Sequence, residues 1–430
     1  MPLGPSALRI LTGGQPQLMM LPLDPVSAWR ADEARSESQY ADESNGHQDR
    51  LLALEITTVL DRLRRTRPAE RALYARTCSE VWDRAAESHG NKCFARVADV
   101  MRRWDDRGPA LTDFRELLSA LEHIESAGAL NSTHVALTCL RAMVEEGDLR
   151  AGYAWAQSGR VYRTLGLLAQ SQAAFQVAIE TALEHQDAWL QARSQLGLGA
   201  LLHGRGAYPA ARVLFQQALT CAVAYAELRI GAHLGLVSIA KAVDEYDDAL
   251  SHGWEALRLA RGVTDAEVEA LAVLASLSLD VGEYVAARNT CVRALALAPR
   301  LPIRQPLVRT LVQAAVALGD ADLIDSYFAE LALIAQRSAN PWEQAHALRV
   351  VAEVYAKRAS HETAIACLQR SRDISRSHGF AELEWLADEA IDRVGSAQEF
   401  LPRPLQRTSR PVQLNHRSSA LLVELSQLTV

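Results

Sequence analysis

Adjacent carboxylates are candidate groups for acid–base chemistry in this 430-residue sequence. Three such pairs stand out: Asp105-Asp106, Glu145-Glu146 and Asp247-Asp248. Each pair falls where the surrounding pattern predicts a helix end, and carboxylates there usually solvate a turn or offset the helix dipole. The linear pattern also predicts no buried pocket that would shift their pKa values for catalysis. We therefore predict no catalytic residue and expect a protein that is not an enzyme.

Motifs that bind cofactors or metals are also missing from the sequence. It contains no phosphate-binding glycine loop, nucleophile elbow, HExxH helix or EF-hand loop. His361-Glu362 lacks the second histidine that a zinc helix requires. The six cysteines are scattered without a CxxC pair, which is typical of reduced core residues in a cytosolic protein. We expect no cofactor and no metal.

A repeated pattern of small and aromatic residues predicts the elements that would position a site. Its anchor residues, small except for Ile324, lie at 171, 211, 249, 287, 324 and 364, in steps of 40, 38, 38, 37 and 40 residues. Periods of this size, with apolar residues every three or four positions, indicate stacked amphipathic helix pairs. The predicted repeat positions are Trp155, Gly159, Tyr162, Gly166, Phe175, Ala178, Gly199, Gly206, Tyr208, Ala211, Phe215, Ala218, Tyr246, Ala249, Gly282, Tyr284, Ala287, Gly319, Phe328, Tyr355 and Ala364.

This pattern resembles that of tetratricopeptide repeat proteins. It is nearly complete from Trp155 to Ala178, and the Gly-x-Tyr-x-x-Ala turn recurs at Gly206 and Gly282. The units run to 37–40 residues, whereas the family standard is ~34; such longer units are similar to those of bacterial peptide-sensing and transcriptional regulators. The resemblance implies an all-α fold, a right-handed solenoid of stacked antiparallel helix pairs. An irregular helical bundle is the alternative.

Composition divides the chain into four segments. Residues 1–47 are rich in Pro, Gly, Ser and acidic residues, which predicts mostly disorder. Residues 48–150 are predicted to form N-terminal helices with degenerate repeats, and residues 151–395 the solenoid. Residues 396–430 form a polar, basic tail with a short apolar end. That end either caps the solenoid or binds a partner.

The resemblance also implies a binding groove, because the first helix of each pair lines the concave face in that family. An arginine side chain can hold a carboxylate in bidentate fashion, so a cationic groove favours an acidic protein or peptide segment. Since 42 of the 45 basic residues are arginines, chance placement is the alternative. Glu269 and Glu353 are the opposing charges expected in the groove. The cations expected to face it are Arg160, Arg163, Arg193, His203, Lys241, Arg309 and Arg349.

A second basic feature lies between Arg62 and Arg107, where 12 basic residues stand against 7 acidic ones. Such helices could contact DNA phosphates, which suggests a transcription-associated regulator with ligand-sensing repeats as the alternative function. The acids are interleaved and no glycine turn joins the helices as in a helix-turn-helix. A solvated helix face is therefore favoured, and we do not expect nucleic-acid binding.

The overall charge and hydropathy argue against nucleic-acid binding and against membrane insertion. A net charge of −7 creates no broad field that would attract nucleic acid. No continuous apolar segment approaches the ~20 residues that a membrane helix needs. The N-terminal residues also lack the pattern of a signal peptide. We expect a cytoplasmic protein that binds a protein or peptide partner and does not bind a membrane. Whether it forms homo-oligomers is left open by the sequence.

Overall fold

The computed structural model describes residues 24–37, 43–89, 92–104, 109–126, 129–145, 147–297, 301–338, 341–378, 380–395 and 412–428. All regular elements in these ranges are helices, so the predicted all-α class is confirmed. The chain divides into two compact units, residues 1–222 (unit 1) and residues 223–430 (unit 2). No helix of the described ranges has the length and apolarity needed to cross a bilayer.

Consecutive helices of unit 1 pack on one another from α6 onward, which confirms the helix pairs that the repeat predicts. The helices of unit 1 are α1 (Pro25–Glu37), α2 (Glu43–Arg65), α3 (Pro68–Thr77), α4 (Ser79–His89), α5 (Lys92–Arg103), α6 (Leu111–Ser126), α7 (Leu130–Ala142), α8 (Leu149–Thr164), α9 (Leu168–Glu184), α10 (Ala188–Gly204) and α11 (Tyr208–Cys221).

Unit 2 repeats the same arrangement, each helix packing on the next as far as α20. Its helices are α12 (Ala226–Ala242), α13 (Tyr246–Ala260), α14 (Thr264–Asp280), α15 (Tyr284–Ala296), α16 (Leu301–Leu318), α17 (Ala321–Arg337), α18 (Pro341–Lys357), α19 (His361–His378), α20 (Ala381–Gly395) and α21 (His416–Ser426).

The small and aromatic repeat positions pack directly against each other within a pair. Gly159 of α8 lies over the ring of Phe175 on α9, where an added Cβ would come within 2.8 Å of the ring. Gly199 of α10 stands in the same relation to Phe215 of α11, at 2.9 Å. Ser171 ties the first of these pairs together, because its hydroxyl donates to the Gly159 carbonyl at 2.7 Å. The repeat therefore specifies close helix approach beside a buried ring.

The turns between paired helices follow one hydrogen-bond pattern. The amide of Leu167 donates to the Tyr162 carbonyl after Gly166 takes a positive φ of 79°, which ends α8 in a Schellman motif. The same turn occurs in unit 2 with a residue other than glycine at Asp244 (φ 61°) and Ala359 (φ 59°). These two residues carry the steric penalty that glycine avoids.

The N-terminal helix α1 lies within the segment for which composition predicts mostly disorder. It is held by the buried Asp32, whose carboxylate accepts from the backbone amides of Asn131 and Ser132, both at 2.9 Å. Asp32 thereby caps α7, whose own N-cap residue Ala129 has no side-chain acceptor. A cap supplied from a distant segment leaves no local sequence signal. Residues 1–23 and 38–42 lie outside the described residues.

The apolar end of the chain packs along unit 2 as α21. Leu422 and Leu425 join the unit 2 core, and α21 lies against α13 and α15. Two polar contacts fix it: Asn289 Nδ2 donates to the Ser426 carbonyl at 2.6 Å, and the Asn415 amide donates to Asp247 at 3.1 Å. Thus the segment covers the second helices of two pairs. The basic stretch at 396–411 lies outside the described residues.

Candidate binding face of unit 1

The first helices of three successive pairs, α6, α8 and α10, lie side by side in unit 1. We call the surface that they share the first-helix face; its polar residues are Arg115, Glu122, Glu125, Gln157, Arg160, Arg163 and Arg193. Two adjoining cavities open on this face, and we call them cavity A and cavity B. Three of the seven predicted cations, Arg160, Arg163 and Arg193, are brought together here.

Cavity A has a volume of about 190 Å³ and is cationic. Arg160, Arg163 and Arg193 line it, with Phe175 and Gly197 among its apolar walls, and no acid stands among its described lining residues. An added Cβ at Gly197 would lie 2.2 Å from the Phe175 ring, so this glycine makes room for the aromatic floor. The repeat packing thus shapes the cavity whose rim carries the arginines.

Two of the three arginines are neutralised from α6. Arg160 makes a bidentate pair with Glu125, at 2.9 Å and 2.8 Å, and a further contact with Glu122 at 3.0 Å. Arg193 also pairs with Glu122. Because the two arginines and Glu122 keep 30–40% of their side-chain surface exposed, the pairs with Glu122 are worth little in stability; Glu125 is 11% exposed.

Arg163 differs from its two neighbours, since it makes no salt bridge with the described residues. It is half-buried, and burial together with the Arg160 charge lowers the pKa of its guanidinium below the usual value. A desolvated cation of this kind is the group that a bound carboxylate would stabilise most.

Cavity B, about 160 Å³ in volume, has aromatic and charged walls, and the acid Glu122 lies among its lining residues beside Arg115 and Arg193. The rings of Tyr153 and Trp189 stack with centroids 5.3 Å apart and planes 10° from parallel. Arg115 lies over both rings, 4.9 Å from the Trp189 centroid and 5.3 Å from that of Tyr153. On Trp189 a second guanidinium, that of Arg193, lies 5.3 Å from the ring centroid. These distances are those of cation–π contacts.

Tyr153 and Trp189 are also held by the fold. The Tyr153 hydroxyl donates to Asp187 at 2.9 Å, and Asp187 caps α10 by accepting from the Leu190 amide at 2.8 Å. Trp189 is the second residue of that helix. The ring stack is therefore fixed at a helix start, and its position does not depend on a ligand.

His203 lies near the end of α10, outside the lining of both cavities. Its ring is 5.5 Å from that of Tyr208 on α11. Its predicted role in binding stays a prediction.

The predicted cations of unit 2 have a different environment. Arg309 pairs with Glu343 at 2.8 Å, and Arg349 pairs with Glu353 at 2.6 Å; the two arginine side chains are 8% and 6% exposed. Lys241, half-buried, pairs with the buried Asp280 at 2.5 Å.

Glu353, one of the two opposing acids expected in the groove, is buried, whereas Glu269, the other, is exposed. The pKa of the buried His346 is lowered well below its usual value by burial and then by the charges of Arg309, Arg349 and Lys241. Unit 2 thus forms a buried ionic cluster.

Sequence reasoning missed the side chains that complete the unit 1 face: Arg115, Trp189, Glu122 and Glu125. The spacing of Trp189 and Arg193, four residues apart on one helix, was the available signal for the cation–π stack. Glu122 and Glu125 likewise lie three residues apart on α6. Among the described residues no group of three metal-ligating side chains comes together.

The basic residues of the N-terminal helices are largely engaged within the chain. Arg102 contacts both Asp83 and Asp99, and Arg103 contacts Asp113 at 3.1 Å. Arg71 donates to the backbone carbonyl of Thr66 at 3.1 Å. Of the carboxylate pairs, Asp247 and Asp248 lie in the first turn of α13, while Asp105, Asp106 and Glu146 are outside the described residues.

Comparison of the sequence with family models and with curated proteins gives no match. Solved structures that the comparison matches to this chain include a tetratricopeptide repeat protein from Parabacteroides merdae, at 14% identity and a TM-score of 0.41 over 64% of this chain and 98% of that chain. A Rap protein complexed with Competence and Sporulation Factor matches at 14% identity and a TM-score of 0.46, over 76% of this chain and 99% of that chain. Aspartyl phosphate phosphatase F from Bacillus subtilis matches at 15% identity and a TM-score of 0.46, over 81% of this chain and 89% of that chain. The assignment of tetratricopeptide-like helix pairs rests on the geometry of this chain itself.

Proposed function

We propose that this chain is a non-catalytic protein-interaction module that binds an acidic protein segment on the first-helix face of unit 1. The observation that carries the proposal is cavity A, whose rim bears three arginines and, among the described residues, no acid. A cytoplasmic location is part of the proposal.

Charge and desolvation both favour an anionic ligand at this face. Four arginines (Arg115, Arg160, Arg163 and Arg193) stand against the two acids Glu122 and Glu125, so a positive excess remains after the internal pairs form. Arg163 is half-buried without a salt bridge to a described residue, and burial, followed by the Arg160 charge, lowers the pKa of its guanidinium. A carboxylate in cavity A would supply that charge through charge-assisted hydrogen bonds.

The apolar walls of cavity A suit a peptide side chain better than a free inorganic anion. Phe175, Leu196 and Ala200 contribute to its lining beside the arginines. A glutamate or aspartate places methylene groups against such walls and its carboxylate at the rim. We infer that the ligand is a protein segment in which an acidic residue occupies this cavity.

The alternative function, DNA contact by the N-terminal helices, has weaker support. Arg102, Arg103 and Arg71 already contact acids or backbone carbonyls of the chain. Phosphate binding would have to replace those contacts. A steep loss of duplex binding with rising salt would be the signature of that alternative.

The test is selection of binders from displayed random dodecapeptides on the full-length chain, followed by affinity measurement. We expect acidic peptides to be enriched and Arg163→Glu to weaken them by about ten-fold or more, the value of a charge-assisted hydrogen bond. Arg205→Glu is the matched control, since Arg205 is exposed at the end of α10 and contacts Gln172. Enrichment of neutral or basic peptides, or equal loss in both variants, would overturn the proposal.

A further inference from the structure

Cavity B adjoins cavity A and shares Ala156, Gln157 and Arg193 with it. A peptide residue bound in one cavity therefore places its neighbours beside the other. The two cavities differ in chemistry: cavity A offers guanidinium groups over an apolar floor, whereas cavity B offers a ring stack under Arg115. The second cavity consequently selects for a property other than negative charge.

The volume of cavity B suits an aromatic ring. It holds about 160 Å³ and is open to solvent, with Ser119, Glu122 and Gln157 among its lining residues. A volume of roughly 150 Å³ is enough for a benzene ring. Leu118 and Ala156 supply apolar surface alongside Trp189 and Tyr153. A phenyl or phenol group would fill this space, and a short polar side chain would leave it partly empty.

The walls of cavity B also suit an aromatic ring electronically. The guanidinium carbon of Arg115 lies 4.9 Å from the Trp189 ring centroid and 5.3 Å from that of Tyr153. Arg115 is an exposed residue that makes no salt bridge with the described part of the chain, so its guanidinium is accessible to a further ring. An aromatic ligand side chain would extend the existing stack by one cation–π contact.

We infer that cavity B is a specificity subsite for an aromatic side chain of the same segment whose carboxylate binds in cavity A. This inference rests on the proposed function and adds to it a recognition pattern, an acidic residue and an aromatic residue at a constant separation. Cavity A provides the charge selectivity. Cavity B distinguishes among acidic segments.

The experiment uses the peptides selected on the full-length chain. We expect the acidic binders to carry Phe, Tyr or Trp at one fixed distance from the acid. One phenylalanine binder is then synthesised in two forms, with Phe and with cyclohexylalanine, which has nearly the same shape but no π electrons. We expect the Phe form to bind roughly three- to thirty-fold more tightly, the range of a cation–π contact.

Arg115→Gln isolates the contact, because it keeps a long polar side chain and removes the charge. In this variant the two peptide forms should bind equally, while Arg205→Gln should keep the preference for Phe. Circular dichroism checks that the helix content is unchanged. Equal binding of the two forms by the unaltered chain, or acidic binders without a common aromatic residue, would overturn the subsite and leave the proposed function standing. Failure to select acidic peptides would overturn both.

Discussion

The first helices of both units carry arginines, at different repeat positions, and these arginines differ in environment. In unit 1 Arg160 and Arg193 keep 30% and 32% of their side chains exposed, and Arg163 lacks a salt bridge to a described residue. In unit 2 Arg309 and Arg349 are 8% and 6% exposed, and each has a carboxylate partner. A buried charge needs a partner within the chain, whereas a half-exposed charge remains available to a ligand. The difference separates a structural cluster from a binding face.

The largest effect should come from breaking a buried pair in unit 2. Glu343→Ala leaves the Arg309 charge buried without its partner, which typically costs about 3–5 kcal/mol of stability. Urea unfolding of the full chain measures it. Glu122→Ala in unit 1 is the matched change and should cost about 0–1 kcal/mol, because its pairs are half-exposed. Similar losses in the two variants would remove the distinction between the units.

Acid pH should destabilise the chain through its buried histidines. Burial lowers the pKa of His134 in unit 1 to about 4. The ordinary pKa of histidine is about 6.5, so between pH 6.5 and pH 4 the His134 ring is protonated in the unfolded chain and neutral in the folded chain. Stability present above pH 6.5 is lost as the pH falls to about 4, by roughly 3 kcal/mol for this residue at 1.36 kcal/mol per pKa unit.

Unfolding measured from pH 7 to pH 4 tests this effect. His134→Gln should flatten the pH dependence by the stated amount. The remaining slope should come in part from His346 in unit 2, whose pKa is lowered in the same direction. An unchanged slope in His134→Gln would show that His134 does not titrate in this way.

Filling the space above the floor of cavity A should have an intermediate effect. A Cβ at Gly197 would meet the Phe175 ring at 2.2 Å, so Gly197→Ala is expected to cost about 1–3 kcal/mol through overpacking. Adding Phe175→Leu should recover part of the loss. Gly204→Ala is the control, because nothing lies within 4 Å of its added Cβ and alanine favours a helix. A Gly197→Ala chain as stable as that control would contradict the packing described for the repeat.

Substitutions at the turns between paired helices should have the smallest effect on stability. Ala359 in unit 2 takes the positive φ that Gly166 takes in unit 1. Ala359→Gly should stabilise the chain by about 1 kcal/mol through relief of the left-handed conformation, and Gly166→Ala should destabilise it by a similar amount. Thermal unfolding of both variants provides the measurement, and shifts of the same sign would argue against equivalent turns.

The sequence was sufficient to predict the helix pairs, because the determinants of each pair are local. Gly159, Ser171 and Phe175 lie within one repeat and contact each other across one turn. The turn at Gly166 is local as well.

The state of the charged residues depends on contacts between repeats. Arg309 meets Glu343 and Lys241 meets Asp280 only when consecutive pairs stack, so their burial and pairing could not be read from spacing alone. Asp32 and α21 show the same limit, since each contacts a segment far away in the chain.

The most direct test of the account is photo-crosslinking of a selected acidic peptide to the full-length chain. The peptide carries benzoylphenylalanine beside its acidic residue, and mass spectrometry locates the crosslinked sites. We expect crosslinks on α6, α8 and α10, lost in Arg163→Glu and kept in Arg205→Glu. Crosslinks on α16 and α18, around Arg309 and Arg349, would contradict it, because they would place the ligand at the buried cluster of unit 2.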